Sequence, residues 1–316
     1  MLMLWASGAP ATSGGTAPPP SFTCQQEVLA PVVSEDFSDF ETDDWVVGGD
    51  AFHDGQGDQF FLTTVVPDQG GRLFYGQRQS GCGFRAEFDY NISGGTGADG
   101  MTFAVVQDTD YFHGIGGGLD FCPDEGGFAA EFDTYGNGGT DPQGEHVGVI
   151  EDCAGNQLAS KLRTVRGEHH VVVDFIEGQF NIYIDGDLEL AYTFPGITSF
   201  DGYIGFTAAT GGANDNHSVD NFTLLVTEPV LIQGDLDCDG EVTVFDGLIV
   251  LLFLQDLPFD QDSPCPGLTD LVGDFQFADV NCDGVIDAND MAAILAYFAG
   301  VSIPPESGCV PLGEPL

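Results

Sequence analysis

The sequence predicts a mainly β protein, a two-sheet sandwich followed by a small module in which a loop and a helix occur twice. Three observations predict it. Between Phe37 and Val226 the chain runs in short segments that alternate apolar and polar residues, the period of half-buried strands. The 26 Phe and 45 Gly come with little Leu-rich helical pattern before residue 246, as a turn-rich β protein requires. Beyond Glu228-Pro229 two acidic loops, each leading into an apolar helical run, repeat at an offset of 44 residues, which marks an internal duplication.

In chain order, residues 1–30 read as a leader or flexible arm, rich in Pro and Gly and without periodicity. Residues 31–228 carry the strand-like runs, among them GFRAEFDYNI, MTFAVVQ, GFAAEFDTY, HVGVI, YIGFTAA and SVDNFTLLV. HHVVVDF and QFNIYID are separated by little more than Glu177-Gly178, which reads as a tight hairpin. So many one-sided strands need a second sheet to bury their apolar faces. Residues 229–316 form the duplicated module.

Composition narrows the function. The 51 Asp and Glu against 6 Lys and Arg give a formal charge of -45. Such a surface repels nucleic acid and anionic membranes and suits bound cations or a salty medium. Eight Cys, an even number, fit an oxidising compartment, so we expect a secreted, extracellular or cell-surface protein. No apolar run is long enough to span a membrane; VFDGLIVLLFL (244–254) is short and contains Asp246.

The acidic loops are DLDCDGEVTVFD (235–246) and DVNCDGVIDAND (279–290). Positions 1, 3, 5, 9 and 12 hold Asp235, Asp237, Asp239, Thr243 and Asp246 in the first, and Asp279, Asn281, Asp283, Asp287 and Asp290 in the second. Gly240 and Gly284 stand at position 6, where the chain turns sharply. The backbone carbonyls of Glu241 and Val285 at position 7 complete an oxygen cage for one Ca²⁺ per loop. One helix follows each loop and none precedes it, and this pattern over residues 234–310 resembles the type I dockerin family. The resemblance implies two Ca²⁺ and docking to a cohesin-like protein through loop positions 10 and 11. Those are Val244, Phe245, Ala288 and Asn289 here, in place of the family's Ser/Thr-like pairs. Equal spacings of Cys238–Cys265 and Cys282–Cys309 favour one disulfide per repeat, with a crossed pairing still open; Cys24, Cys82, Cys122 and Cys153 allow three pairings.

The other cluster lies in FAAEFDTYGNGGTDPQGEHVGV (128–149). In a strand, Glu131 and Asp133 share one face, and carboxylates that close need a cation or a shared proton. Asp141 and His146 return after a turn. Carboxylates with one imidazole suit a transition ion such as Mn²⁺, and oxygen ligands alone suit Ca²⁺.

EFDTYGN followed by DPQGEHVGV resembles the metal-binding stretch of legume-type (L-type) lectins. ADGMTFAVV (98–106), GIGGGLDF (114–121) and YIGFTAATGGANDNHSVDNFTL (203–224) match that family's further motifs in order. The resemblance covers residues 35–226 and implies a concanavalin A-like jelly-roll sandwich that binds carbohydrate. It implies Glu131 and His146 on Mn²⁺, Asp133 and Asp141 on both ions, and Asn137 with the Tyr135 carbonyl on Ca²⁺. It places Asp99, behind a cis peptide, as acceptor for sugar hydroxyls. The Asn137 amide and a backbone N–H near Gly117 or Gly118 would donate, and the variable loop GGANDN (211–216) would bring Asn214. Tyr135, Tyr111 and Phe112 are the candidate rings to cover a sugar's apolar face. Asp120 departs from the family pattern after GGGL.

Sandwiches of this kind also carry glycoside hydrolases. One such family uses Glu-x-Asp-x-x-Glu or Glu-x-Asp-x-Glu on a single strand, and after Glu131 the second Glu is missing at both positions, so no retaining pair forms locally. We therefore expect a binder and no enzyme. A secreted glycoside hydrolase or its targeting subunit, and an adhesion protein without a sugar site, are the other readings.

Overall fold

The computed structural model describes residues 29–316 except 39, 56, 58, 110–113, 123–125, 140, 228–230, 239, 260–265, 274 and 302–308. The leader, Cys24, Tyr111, Phe112, Asp239 and Cys265 therefore lie outside the described residues. Among the described residues, sixteen strands make up the first part of the chain. They are β1 (Leu29–Glu35), β2 (Trp45–Gly49), β3 (Phe52–His53), β4 (Phe60–Thr63), β5 (Gly70–Tyr75), β6 (Gln79–Gly81), β7 (Gly83–Ser93), β8 (Gly100–Val106), β9 (Gly127–Asp133), β10 (His146–Glu151), β11 (Cys153–Leu162), β12 (Gly167–Ile176), β13 (Gln179–Ile184), β14 (Asp187–Thr193), β15 (Phe200–Ala209) and β16 (Asn216–Thr227).

They form two antiparallel sheets. The back sheet runs β14-β13-β12-β7-β16-β4-β3, with β1 on β16; the front sheet runs β11-β10-β9-β8-β15-β5-β2, with β6 on β15. Alternation explains the burial. Phe84, Phe88 and Tyr90 of β7 face inward from the back sheet, and Phe103, Phe132 and Phe206 face them from the front sheet. Phe88 meets Phe206 edge-on with centroids 4.9 Å apart. Each such ring removed from water contributes roughly 1.5–3 kcal/mol, so the Phe-rich composition is the core of the sandwich. The expected hairpin joins β12 to β13, with Glu177 at φ 48° and Gly178 at φ 82°, the two positive φ angles of a type I′ turn.

The outer face of the front sheet carries a second apolar cluster, in which Leu119 and Phe121 cover Phe74, Ala104, Ala129 and Ile150. This holds the stretch 114–122 down on the sheet. Three further ties fasten it: the Cys122–Cys153 disulfide, the Thr207 hydroxyl on the Leu119 carbonyl (2.7 Å), and the buried ion pair Arg72–Asp120 (3.2 Å). The departure at Asp120 thus has a structural use. Cys82 is also disulfide-bonded.

Each of the six basic side chains of the chain is in an ion pair: Arg72–Asp120, Arg78–Asp201, Arg85–Asp174, Lys161–Glu189, Arg163–Asp185 and Arg166–Asp215.

After the strands come α1 (Val244–Leu254), a short hairpin of β17 (Leu271–Val272) and β18 (Phe275–Gln276), and α2 (Ala288–Phe298). Leu236, Ile249, Val250, Phe277, Val280 and Ile294 form a separate core. Gly247 of α1 lets α2 come close, since a Cβ there would lie 3.3 Å from Leu295. A hairpin rather than a helix precedes the second loop. Cys282 pairs with Cys309, the within-repeat pairing, which excludes a Cys238–Cys282 link. Cys238 is disulfide-bonded as well.

Candidate functional site

Five segments converge at one end of the front sheet. Strand β9 delivers Glu131 and Asp133 on its outer face, because Phe132 between them is committed to the core. Strand β10 places His146 opposite Asp133 and Gly148 opposite Glu131. The loop between these strands closes a ring of contacts. Asp133 accepts from the Tyr135 N–H (2.6 Å), the Tyr135 carbonyl accepts from the Asn137 amide (3.1 Å), and the Asn137 N–H donates to Asp141. Asp141 lies 3.4 Å from His146 Nε2, which lies 3.3 Å from Glu131.

Glu131, Asp133 and His146 are all buried, with ligand atoms within 4.8 Å of one another. Burial pushes the Glu131 carboxyl up. Burial and the neighbouring Glu131 push Asp133 up to about 8. Burial opposes the charging of His146, yet Glu131 and Asp133 lift it to about 9. Burial and mutual repulsion leave this cluster short of positive charge, which a divalent cation would supply. His146 Nδ1 sits 3.1 Å from the Gly144 carbonyl; a carbonyl only accepts, so Nδ1 carries hydrogen, and Nε2, the nitrogen on the side of the carboxylates, is the one that would give up its proton to a cation, the arrangement of a metal-ligating histidine. The donor set therefore fits a cation. Glu131, Asp133, Asp141 and His146 would hold a transition ion. Asp133, Asp141, Asn137 and the Tyr135 carbonyl would hold Ca²⁺.

Beside this cluster the Ala98–Asp99 peptide is cis. The Asp99 carbonyl accepts from the Thr134 N–H (2.9 Å) and hydroxyl (3.0 Å). Its carboxyl is buried, and Oδ2 has no hydrogen-bond partner; burial raises it to about 6. Glycines surround it: a Cβ on Gly211 would lie 3.1 Å from Oδ2, and one on Gly116 3.8 Å. Gly117 touches the Asn137 side chain, and Gly118 closes the 3-10 turn Gly116–Gly118. The Asn214 backbone is tied to the segment leading into Asp99, its carbonyl accepting from Thr96 N (2.6 Å) and Gly97 N (3.2 Å). Asp99, Gly117 and Asn137 thus come together, with Asn214 fastened next to them. The Tyr135 ring is exposed rather than in the core.

Several residues here carry no sequence signal. Arg166 pairs with the buried Asp215 (2.6 Å), which also accepts from Gly95 N (2.8 Å) and so joins the 94–99 and 211–216 loops. Gln157 meets Glu131 and lies 3.1 Å from His146 Nε2. A long-range ion pair and a strand register cannot be read from spacing.

In the module, Asp246 is buried at the third helical position of α1. It accepts from Leu236 N (2.6 Å) and Thr243 N (2.6 Å), while Asp235 accepts from Gly240 N (2.9 Å). Asp235, Asp237 and Asp246 cluster within 4.8 Å. The second loop repeats the pattern: Asp290 accepts from Asn281 N (3.2 Å) and Asp287 N (2.7 Å), and Asp279 from Asp283 N (3.0 Å) and Gly284 N (2.9 Å). Val285 N donates to Asp283 (3.0 Å). Thr243 and Asp287 are the helix N-caps in reciprocal capping boxes with Asp246 and Asp290, so positions 9 and 12 fix the start of each helix. Burial raises Asp246 and Asp290 to about 6 each. Glu241 lies in the turn before Thr243.

The fold is shared with solved lectins. A lectin from Bauhinia forficata in complex with GalNAc superposes with a TM-score of 0.52 at 18% identity, covering 63% of this chain and 98% of that one. The Lotus tetragonolobus seed lectin gives 0.53 at 15%, covering 62% and 99%. The VIP36 exoplasmic/lumenal domain in its Ca²⁺/Man3GlcNAc-bound form gives 0.50 at 18%, covering 60% and 86%. The sandwich has the legume-lectin fold. No protein-family model and no curated protein matches the sequence.

Proposed function

We propose that the sandwich binds carbohydrate reversibly with the help of cations, and that the C-terminal module binds two Ca²⁺. The chain divides in this reading into an arm (1–30), a sandwich (31–228) and a module (229–316). The observation that carries it is Asp99. Its carboxylate has an oxygen without a partner, ringed by the bare backbones of Gly116 and Gly211. The Asn137 amide stands on the neighbouring Gly117. A sugar offers adjacent hydroxyls that donate and accept, and one carboxylate with one amide matches such a pair. The glycines let a ring approach where side chains would block it.

The cation cluster supports the same reading, because Asn137 and Asp133 belong to both groups. The solved lectins of this fold support it by analogy: two of those named are in complex with a glycan, one of them with Ca²⁺ as well. Those neighbours are lectins rather than enzymes, in line with the missing second glutamate. A cohesin-like partner for the module rests on the dockerin resemblance alone, and the paired disulfides accord with an extracellular or lumenal setting. No helix among the described residues is long and apolar enough to cross a membrane.

A glycan array run with Ca²⁺ and Mn²⁺, and again in EDTA, tests the proposal. Binding that vanishes in EDTA and returns with the ions supports it. Binding unchanged by Asp99→Ala would place the sugar elsewhere. Steady release of reducing ends by the wild type, absent in Glu131→Gln, would favour the hydrolase.

A further inference from the structure

Strands β10 and β11 pair His146 with Leu162, Val147 with Lys161, Gly148 with Ser160 and Val149 with Ala159; the next pair is Ile150 with Gln157. Leu158 is therefore the extra residue of a β-bulge. Directly opposed residues point to the same face, and a bulge moves the following residue to the other one. A regular ladder would set Gln157 opposite Glu151, on the face where Val147 and Val149 enter the core. The bulge sets it on the face of His146 and Gly148.

There the Gln157 amide nitrogen meets Glu131 Oε2 and lies 3.1 Å from His146 Nε2. Gly148 makes the meeting possible: a Cβ there would lie 2.5 Å from Gln157 Nε2 and would run into Glu131 Oε2. Gln157 Oε1, in contrast, is buried without a hydrogen-bond partner, so its desolvation is uncompensated. A carboxamide has a donating end and an accepting end, exchanged by half a turn of its last torsion. The donating end satisfies the Glu131 carboxylate. The accepting end, put in the same place, faces the Glu131 carboxylate oxygen and is repelled unless a cation lies between them.

We propose that Gln157 is a fifth protein ligand of the seat made by Glu131, Asp133, Asp141 and His146, turning its oxygen onto a divalent ion of the Mn²⁺ class. This rests on reading that cluster as a cation site. The set is then four oxygens and one nitrogen, hard enough for Mn²⁺ and poor for thiolate-seeking ions. An octahedral ion would keep about one water, against about two without Gln157.

The test uses the full chain and Mn²⁺ alone, with calorimetric titration and the water-proton relaxation of the bound ion. Gln157→Ala should lower Mn²⁺ affinity about ten- to hundredfold and raise the relaxation per bound ion, since water takes the place of Oε1. Gln157→Glu, which keeps an oxygen there, should retain the low wild-type relaxation. Both variants should keep a cooperative melting transition, which shows the fold intact. Equal Mn²⁺ affinity and relaxation in wild type and Gln157→Ala would overturn the proposal, as would a wild type that binds no Mn²⁺. Neither result touches the sugar reading, which fails instead if no glycan binds while Gln157→Ala behaves as expected.

Discussion

Asn137 lays its carboxamide against the bare Cα of Gly117, where a Cβ would lie 2.6 Å from Asn137 Cγ. The contact fixes where the amide points. Gly117→Ala should push Asn137 aside and lower glycan affinity at least about tenfold, or ~1.4 kcal/mol, with Ca²⁺ stoichiometry unchanged in calorimetry. Unaltered affinity would remove Asn137 from the sugar contact.

Asp99 titrates at about 6 because it is buried, and only its ionised form is a pure acceptor. Glycan affinity should be flat above neutral pH and fall as pH drops through about 6. Asp99→Ala should abolish binding at every pH while keeping the fold. It should not lower the melting temperature at neutral pH, since a raised carboxyl pKa means that the charge destabilises the native state.

Asp133 lies in the cluster with Glu131 and His146 and accepts from Tyr135 N, and in the proposed arrangement it serves both ions. Asp133→Ala should lose the bound ions and the sugar together, whereas Asp99→Ala should lose the sugar alone. Metal analysis after dialysis separates the two.

In the module, Asp246 and Asp290 are raised to about 6 from 3.8. The native state then holds protons that the unfolded chain has released, so without calcium its stability falls as pH rises from about 4 through 6. Calcium needs the ionised carboxylates and reverses the trend. In EDTA the module's melting transition should be higher at pH 4.5 than at 7, by several degrees, since ~1 kcal/mol shifts a small domain about 4–8 °C. In saturating Ca²⁺ the order should invert. Calorimetry of the full chain checks both.

Arg166 leaves Asp215 buried without its cation if removed. Arg166→Met should loosen the 94–99 and 211–216 loops, raising hydrogen exchange at the Thr96 and Gly97 amides, both bonded to the Asn214 carbonyl. Glycan affinity should drop with it. The double change Arg166→Met with Asp215→Asn should restore slower exchange, because no unpaired charge remains buried.

Local chemistry made much of this legible in advance. The alternation of β7 and β9, the Glu177-Gly178 hairpin and the two capped loops each depend on neighbours in sequence, so the strands, the turn and α1 and α2 could be read from period and spacing. The approach of Glu131, Asp133 and His146 was legible for the same reason, being one hairpin. Tertiary closure was not. The Cys122–Cys153 pairing was one of three, and nothing near Asp120 announces Arg72. The face of Gln157 depends on one bulged residue, Leu158, and a one-residue slip reverses every side chain beyond it. The burial of Asp215 with Arg166 likewise joins segments far apart in the chain.

The six ion pairs have a consequence for what can come near. Every Lys and Arg side chain is already paired with an acid, so none is left over to offset the exposed acids that remain. Two copies, or one copy and a sulfated or uronate-rich polymer, repel from beyond contact, over a Debye length of about 10 Å at 0.1 M salt and about 30 Å at 0.01 M. At the proposed sugar site this surface would act as a charge filter: neutral glycans should approach at any ionic strength, and polyanionic ones only as salt collapses the field.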